Sequence, residues 1–327
     1  MPRQARLDSP GTLHHVMIRG IEGCNIFLGD GDREKFLSRV RELSLDTGTR
    51  ILAWALMKNH VHLLLFSGGV GLPAFMRKLL TGYAVWFNRK HRRWGHLFQN
   101  RYKSIVCEEN PYLLELVRYI HLNPLRGSMV ENLAGLDRCR WSGHSVLVGR
   151  SRNDWQETGY VLSLFGGEGR KAVRAYQRFI ADGKDIGRRP ELVGGGWIRS
   201  LGGWSKVISL RTRGEREEYD SRVLGRGEFV EAVLRDADEK LTRQIRHRQR
   251  KNAIEQVIEK MCVEAGVKVE ELRGGNQRRR VADVRAKVAY GLNRGMGISM
   301  AEIARHLGVG ASAIAMAIGK EERARLL

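Results

Sequence analysis

The sequence predicts an α+β protein in which helices pack on one central antiparallel sheet, followed by an all-α C-terminal domain. The first half of the chain alternates short β-branched and apolar segments with segments of helical periodicity, in the order β-α-β-β-α-(β)-α. This order is typical of a sandwich built on an antiparallel sheet. From residue 239 onward the patterning is helical.

Each element of the first half has its own pattern. The strand segments are apolar and contain β-branched residues; they cover residues 13–20, 50–57 and 60–66. The helical segments have apolar residues on one face; they cover residues 32–47, 72–90 and 110–123. Lys58 and Asn59 provide a turn, so the second and third strands form a hairpin. Asp30 or Asp32 can cap the first helix, and Pro124 ends the last one.

Charge divides the chain into three parts. The net charge is +21, with +10 in residues 1–150, +1 in residues 151–239 and +10 in residues 240–327. Such an excess favours a polyanionic partner, nucleic acid before an anionic membrane, although basic residues also solvate ordinary helical surfaces. We therefore expect two DNA-facing domains, 1–150 and 240–327, joined by a helical linker or accessory region, 151–239.

Other features exclude several classes of protein. The chain has no run of 18 apolar residues and no apolar core of a signal peptide near its start. Its four cysteines form no CxxC pair, which argues against a cysteine-based zinc site and a disulfide framework. We expect a cytoplasmic protein with reduced thiols and no membrane partner.

His60 and His62 are the first candidates for chemistry. Residues i and i+2 of a strand face the same side, so the two imidazoles point together. Paired imidazoles are natural metal ligands. The short pattern taken alone favours two ordinary surface histidines, and a zinc hydrolase would need a third histidine or a carboxylate.

The helix at 110–123 strengthens the metal hypothesis. Tyr112, Tyr119 and Asn123 share one helix face, since they are spaced at i, i+7 and i+11. An amide oxygen can ligate a hard cation, and a phenol can attack a phosphate that the cation polarises. A tyrosine has a pKa of about 10, so without such help it is a poor nucleophile. A lone tyrosine is more often a packed aromatic side chain. Tyr83 and Tyr102 are further rivals, and Tyr112 is the most serious one.

Five motifs in the first 150 residues resemble the HUH single-tyrosine transposases, in particular their REP-associated subgroup. The His-hydrophobic-His motif corresponds to KNHVHLL at 58–64, and the Tyr-Ile-x-x-Asn-Pro segment to RYIHLNPLR at 118–126. The other three are HVMIRG at 15–20, GHLFQNRYKS at 95–104 and RWSGHS at 140–145.

The resemblance implies a ferredoxin-like or RRM-like fold with both histidines on a central strand. It implies that His60, His62 and Asn123 hold a divalent metal, Mg or Mn, as the cofactor. Tyr119 would then attack single-stranded DNA, giving a 5′-phosphotyrosine and a free 3′-OH that can rejoin strands. Hairpin or palindromic DNA at repetitive elements is the implied substrate, and a homodimer is among the implied assemblies.

The loop of residues 89–103 interleaves Lys and Arg with Trp94, Phe98 and Tyr102. Cations that track phosphates and rings that stack on bases suit single-stranded DNA. The alternative is a solvated basic loop whose aromatic residues belong to the core. We assign DNA contact to a group of basic residues and one histidine in this loop and on the first strand: His15, Arg19, Arg92, Arg93, Arg101 and Lys103.

Residues 298–318 have the pattern of a helix-turn-helix. Ser299 and Glu302 form a capping box, Gly308 suits the turn, and 310–318 would be the recognition helix. The alternative is a generic helical hairpin. Region 250–320 resembles the DNA-binding domain of the replication initiator DnaA, but it lacks that family's Arg-Asp-His cluster. We expect contact with duplex DNA from these residues: Arg278, Arg279, Arg280, Arg305 and Ser312.

Taken together, these features favour metal-dependent cleavage and strand transfer of single-stranded DNA. The alternative is a non-catalytic DNA-binding regulator that retains the fold. A third hypothesis is a metal-dependent phosphodiesterase that forms no covalent intermediate. The joint presence of His60, His62, Tyr119 and Asn123 favours the transposase-like enzyme.

Overall fold

The computed structural model describes residues 7–167, 169–187, 189, 192, 220, 222–276 and 278–325. The chain divides into two compact units, Met1–Ala237 and Asp238–Leu327. None of the helices in these described ranges is long and apolar enough to cross a membrane.

The first unit is built on a five-stranded sheet. Its strands are β1 (Leu13–Arg19), β2 (Arg50–Leu56), β3 (His60–Phe66), β4 (Lys103–Cys107) and β5 (Val223–Leu224). Their order is β2-β3-β1-β4-β5, and the first four pair antiparallel as in a ferredoxin-like fold. The predicted α+β sandwich with a central antiparallel sheet is confirmed. The short β5 adds a parallel edge, so the complete sheet is mixed.

Helices cover both faces of this sheet. Those of the first unit are α1 (Asp30–Thr47), α2 (Leu72–Lys90), α3 (Glu109–His121), α4 (Asn123–Arg126), α5 (Leu133–Asp137), α6 (His144–Leu147), α7 (Thr158–Ser163) and α8 (Arg170–Asp182). Alternation along β3 separates two cores: Val61 and Leu63 pack with the cluster of α1 and α2, whereas Leu64 packs with that of α3. His62 lies two residues before Leu64, on the same face of β3, so its side chain faces α3.

Two predicted helix ends differ from those observed. α1 begins at Asp30 after Gly29 and has no side-chain cap, because Asp32 lies buried and accepts hydrogen bonds from Lys90 and His91 at the end of α2. α3 ends at His121, two residues before the predicted end. Pro124 lies in the first turn of the short α4, a position where its missing N–H costs nothing.

The second unit is helical, as predicted. The helix α9 (Gly227–Ala265) crosses the division between the units, and α10 (Val269–Arg273), α11 (Arg279–Tyr290), α12 (Met300–Leu307) and α13 (Ala311–Arg325) follow it. The Ser299 hydroxyl accepts from the Glu302 amide, which confirms the cap of α12. Gly308 ends α12 with φ +66, and a Cβ there would lie 2.4 Å from the Arg273 carbonyl oxygen.

Candidate metal and tyrosine site

The sheet face that α3 covers brings two of the predicted metal ligands, His60 and His62, together with Tyr119. His60 is half-buried and His62 is buried on β3, with their ring centroids 5.2 Å apart. Tyr119 on α3 lies edge-on to His62 at 5.7 Å between ring centroids. A strand and a helix that are distant in sequence thus place a phenol beside an imidazole pair, an arrangement that the family resemblance implied.

His15 completes this cluster from the neighbouring strand β1. It is fully buried, stacks on His62 at 5.2 Å between centroids and lies edge-on to Tyr119 at 5.9 Å. Its Nε2 is 3.0 Å from His62 Nδ1, and its Nδ1 is 2.9 Å from the Leu192 carbonyl oxygen. Since DNA cannot reach a side chain that is fully buried, the assignment of His15 to DNA contact is wrong.

The three predicted ligands each keep one donor atom free for a cation. Within the described parts of the chain, His60 Nε2, His62 Nε2 and Asn123 Oδ1 have no hydrogen-bond partner. Their other polar atoms are all engaged: His60 Nδ1 with Asn59 Oδ1 at 2.8 Å, His62 Nδ1 with His15, and Asn123 Nδ2 with the Tyr119 carbonyl oxygen at 2.9 Å.

The protonation states of the histidines suit a metal site. Burial lowers the pKa of His60, and the charge of Arg19 adds to this effect. Burial lowers the pKa of His62 well below its usual range, helped by its two histidine neighbours. Burial also lowers the pKa of His15 to about 4. The imidazoles are therefore neutral at neutral pH, as metal ligands must be.

Two imidazole nitrogens and one amide oxygen are donors that a divalent metal can accept. The described residues contain no group of three or more His, Cys, Asp or Glu that could hold a metal. The role of Asn123 as the third protein ligand stays a prediction.

Arg126 also lies beside Tyr119, and the sequence patterns did not predict this contact. Its guanidinium lies 5.8 Å from the Tyr119 ring centroid. Burial lowers the pKa of Arg126, whereas the charge of the Tyr119 phenolate would raise it. Nη2 donates to the carbonyls of Gly183 and Ile186, and the buried Nη1 has no hydrogen-bond partner. A positive charge beside the phenol stabilises its deprotonated form.

A buried polar chain supports the end of α3. His144 Nε2 donates to Asp137 Oδ1 at 2.8 Å, Tyr176 Oη donates to His144 Nδ1 at 2.7 Å, and His121 Nδ1 donates to Tyr176 Oη at 2.8 Å. Asp137 is a carboxylate acceptor, since its hydrogen bond with His144 lowers its pKa. Tyr176 belongs to α8, so the predicted accessory region contributes a fully buried side chain to the helix that bears Tyr119.

Apart from His15, the residues predicted to contact DNA lie at the surface or close to it. The exposed ones in the first unit are Arg19, Arg92, Arg101 and Lys103, while Arg93 is partly buried and donates to Asn88 Oδ1. Trp94 is 92% exposed, whereas Tyr102 is buried in the core of α1 and α2 and Phe98 packs against it. Of the three aromatic residues in the loop, Trp94 can therefore stack on a base.

The second unit exposes its predicted DNA-contact residues as well. They are Arg278, Arg279, Arg280, Arg305 and Ser312. Arg280 Nε donates to the Ala265 carbonyl at 3.0 Å, so part of its hydrogen-bonding capacity is used within the unit. Ser312 lies in the first turn of α13, where a side chain can meet a phosphate.

Residues 11–123 match the model of the IS200-like transposase family. The matched segment spans about a third of the chain and contains His60, His62, Tyr119 and Asn123. The predicted resemblance to a transposase family is therefore confirmed for this segment. None of the curated proteins matches the chain. The resemblance of the C-terminal region to the initiator DnaA stays a prediction.

Two solved structures are similar to parts of the chain. The first is a REP-associated tyrosine transposase bound to a REP hairpin, at 14% identity over 48% of this chain and 98% of that one, with a TM-score of 0.39. The second is a protein from Deinococcus radiodurans R1 with a provisional assignment as a transposase. It has 18% identity over 35% of this chain and 90% of that one, with a TM-score of 0.25.

Proposed function

We propose that the first unit cuts and rejoins single-stranded DNA in a reaction that depends on a divalent metal and forms a 5′-phosphotyrosine on Tyr119. The observation that carries this proposal is the meeting of β3 and α3. It sets the Tyr119 phenol beside His62, whose unpartnered Nε2 can bind a cation. The family match of residues 11–123 supports the same reaction class.

The chain's own residues account for the steps at the phenol. Tyr119 loses its proton, helped by the neighbouring charge of Arg126, and its oxygen bonds to phosphorus while the P–O3′ bond breaks. The departing 3′ oxygen takes up a proton. The reverse attack by a 3′-OH restores the phosphodiester and frees Tyr119. When bound, Mg or Mn would polarise a phosphate oxygen and orient the phosphorus.

Exposed residues of the first unit suit contact with the DNA strand itself. Arg19, Arg92, Arg101 and Lys103 offer exposed positive charge for phosphates, and Trp94 offers a ring for a base. A hairpin or palindromic strand is the substrate that the sequence resemblance implies. The same proposal includes a homodimer and a cytoplasmic location.

We assign duplex DNA binding to the second unit. The exposed Arg278, Arg279 and Arg305 would contact phosphates, with Ser312 at the start of α13. Because this helix lacks the base-reading cluster of the initiator family, the proposal includes no initiator-type sequence recognition.

Covalent trapping tests the proposed reaction. We expect 3′-labelled single strands covering the DNA that flanks the gene to form an adduct with the protein, stable in denaturing gels, with Mg or Mn and not with EDTA. The label must be at the 3′ end because a 5′-phosphotyrosine retains the downstream strand. Cleavage without adduct would instead establish a phosphodiesterase, and binding without cleavage would establish a regulator.

Replacing Trp94 should weaken binding of the strand. Trp94→Ala removes a ring that is almost fully exposed, and base stacking contributes about 1–3 kcal/mol, so affinity for a single strand should fall by roughly 5- to 150-fold. Fluorescence anisotropy in EDTA measures this without cleavage. Trp94→Phe is the matched control, since it keeps a stacking ring and should retain most of the affinity. Equal affinity of Trp94→Ala and the wild type would remove Trp94 from the interface.

A further inference from the structure

We propose that His15 is a positioning residue that holds His62 in the one tautomer able to bind a metal through Nε2. This inference rests on the proposed function, because it concerns the ligand set of that site. It starts from the two hydrogen bonds of a fully buried side chain, to the Leu192 carbonyl oxygen at 2.9 Å and to His62 Nδ1 at 3.0 Å.

The hydrogen bond between His15 and the Leu192 carbonyl fixes the donor and acceptor of the hydrogen bond between His15 and His62. A carbonyl oxygen can only accept, so His15 Nδ1 carries the proton and donates it to Leu192. A buried imidazole with no carboxylate partner is neutral, so its Nε2 is a bare acceptor. The proton between the rings must then belong to His62 Nδ1. As a result, His62 Nε2 carries the lone pair that a metal requires.

The register of the sheet explains how His15 reaches His62. Met17 lies opposite His62 and His15 lies opposite Leu64, so the two histidines are diagonal neighbours on the same face. Diagonal side chains are within reach of each other when they are long or aromatic. The His15 ring also stacks on His62 with an interplanar angle of 26° and lies edge-on to Tyr119. One side chain therefore orients the ligand and flanks the nucleophile.

Hydrogen bonds to neighbouring groups also orient the other two proposed ligands, His60 and Asn123. Asn59 Nδ2 donates to the Gly23 carbonyl at 3.1 Å, which turns its Oδ1 towards His60 and makes His60 Nδ1 the donor. Asn123 Nδ2 donates to the Tyr119 carbonyl, which leaves its Oδ1 free. Each of the three ligands is thus fixed by a hydrogen-bond chain that ends at a backbone carbonyl. Such outer partners set ring orientation and tautomer in metal sites.

Nitrogen NMR of the metal-free wild type tests the tautomer directly. Long-range proton–nitrogen spectra of ¹⁵N-histidine-labelled full-length protein should show protonated Nδ1 and bare Nε2 for both His15 and His62. A protonated Nε2 as the main form of His62 would overturn the proposal. This readout needs neither metal nor DNA, so it does not depend on whether the protein cleaves strands.

Two variants test whether His15 affects the affinity of the site for a metal. Mn²⁺ is the probe, and EPR of free Mn²⁺ is the measurement. His15→Leu leaves His62 Nδ1 without an acceptor, and loss of such a partner costs about 10- to 100-fold in metal affinity. His15→Gln can donate to a carbonyl and accept from His62, so it should recover most of that loss. Single-strand affinity in EDTA should stay unchanged in both variants.

The outcomes separate this inference from the proposed reaction. Wild-type Mn²⁺ affinity in His15→Leu, or equal losses in His15→Leu and His15→Gln, would overturn the positioning role. If the tautomer and the Mn²⁺ results hold but no covalent adduct forms with DNA, the strand-cleavage proposal fails while the role of His15 stands. If His15→Leu does not fold, the wild-type spectrum and His15→Gln still decide the question.

Discussion

Tyr119→Phe is expected to abolish the covalent adduct with single-stranded DNA completely. The substitution removes only the hydroxyl that would bond to phosphorus and keeps the ring that packs against His62 and His15. The fold and the affinity for DNA should therefore persist. Denaturing gels with a 3′-labelled strand and Mn²⁺ measure the adduct, and anisotropy in EDTA measures binding.

Tyr112→Phe is the matched control, because it lies on the same helix face seven residues earlier. Burial raises the pKa of Tyr112, and the charge of Glu108 raises it further, which makes its phenol a poorer nucleophile. Its loss should leave the adduct intact. The other rivals are also unsuited: Tyr83 is buried and donates to the Ile26 carbonyl, and Tyr102 is buried. An adduct that survives in Tyr119→Phe would move the nucleophile to another residue.

His62→Ala should weaken Mn²⁺ binding by more than about 100-fold, since loss of an outer partner alone costs 10- to 100-fold. It should also end strand cleavage. The variant removes a nitrogen ligand and takes away the partner of His15 Nε2. EPR of free Mn²⁺ measures affinity directly, and the denaturing gel measures cleavage.

His306→Ala serves as the control for removing a histidine elsewhere. His306 lies in the second unit, where it contacts Glu255, so its loss should leave Mn²⁺ affinity unchanged. His60→Ala should behave like His62→Ala, because each imidazole presents one bare nitrogen. Mn²⁺ binding by His62→Ala with wild-type affinity would exclude His62 from the ligand set.

Much of the fold could be predicted because its patterns are local. Alternation along β3 identified Val61 and Leu63 as one face and the two histidines as the other, and helical periodicity located α1 and α2. The strand β5 could not be predicted, because two residues are too short for a pattern and its partner β4 lies more than a hundred residues earlier. The predicted cap by Asp30 or Asp32 failed because the partners of Asp32, Lys90 and His91, lie far away in the sequence at the end of α2.

The candidate site likewise combines residues that local patterns predict with residues that only the tertiary structure reveals. The candidates His60, His62, Tyr119 and Asn123 were predicted from spacing and from motif resemblance, which act over a few residues. The role of His15 depends on the register between β1 and β3, which no local pattern encodes, and it was therefore mistaken for a surface residue. Arg126 was missed because its nearness to Tyr119 results from the turn between α3 and α4.

The buried hydrogen-bond chain from Asp137 to His121 extends beyond the segment that matches the family. The family match ends at residue 123, yet the ring of His121 is satisfied by Tyr176 and that of His15 by the Leu192 carbonyl. Anyone transplanting the candidate site into another scaffold would have to carry these later residues with it. The matched segment holds the candidate groups, and residues beyond it complete the hydrogen bonds of its buried histidines.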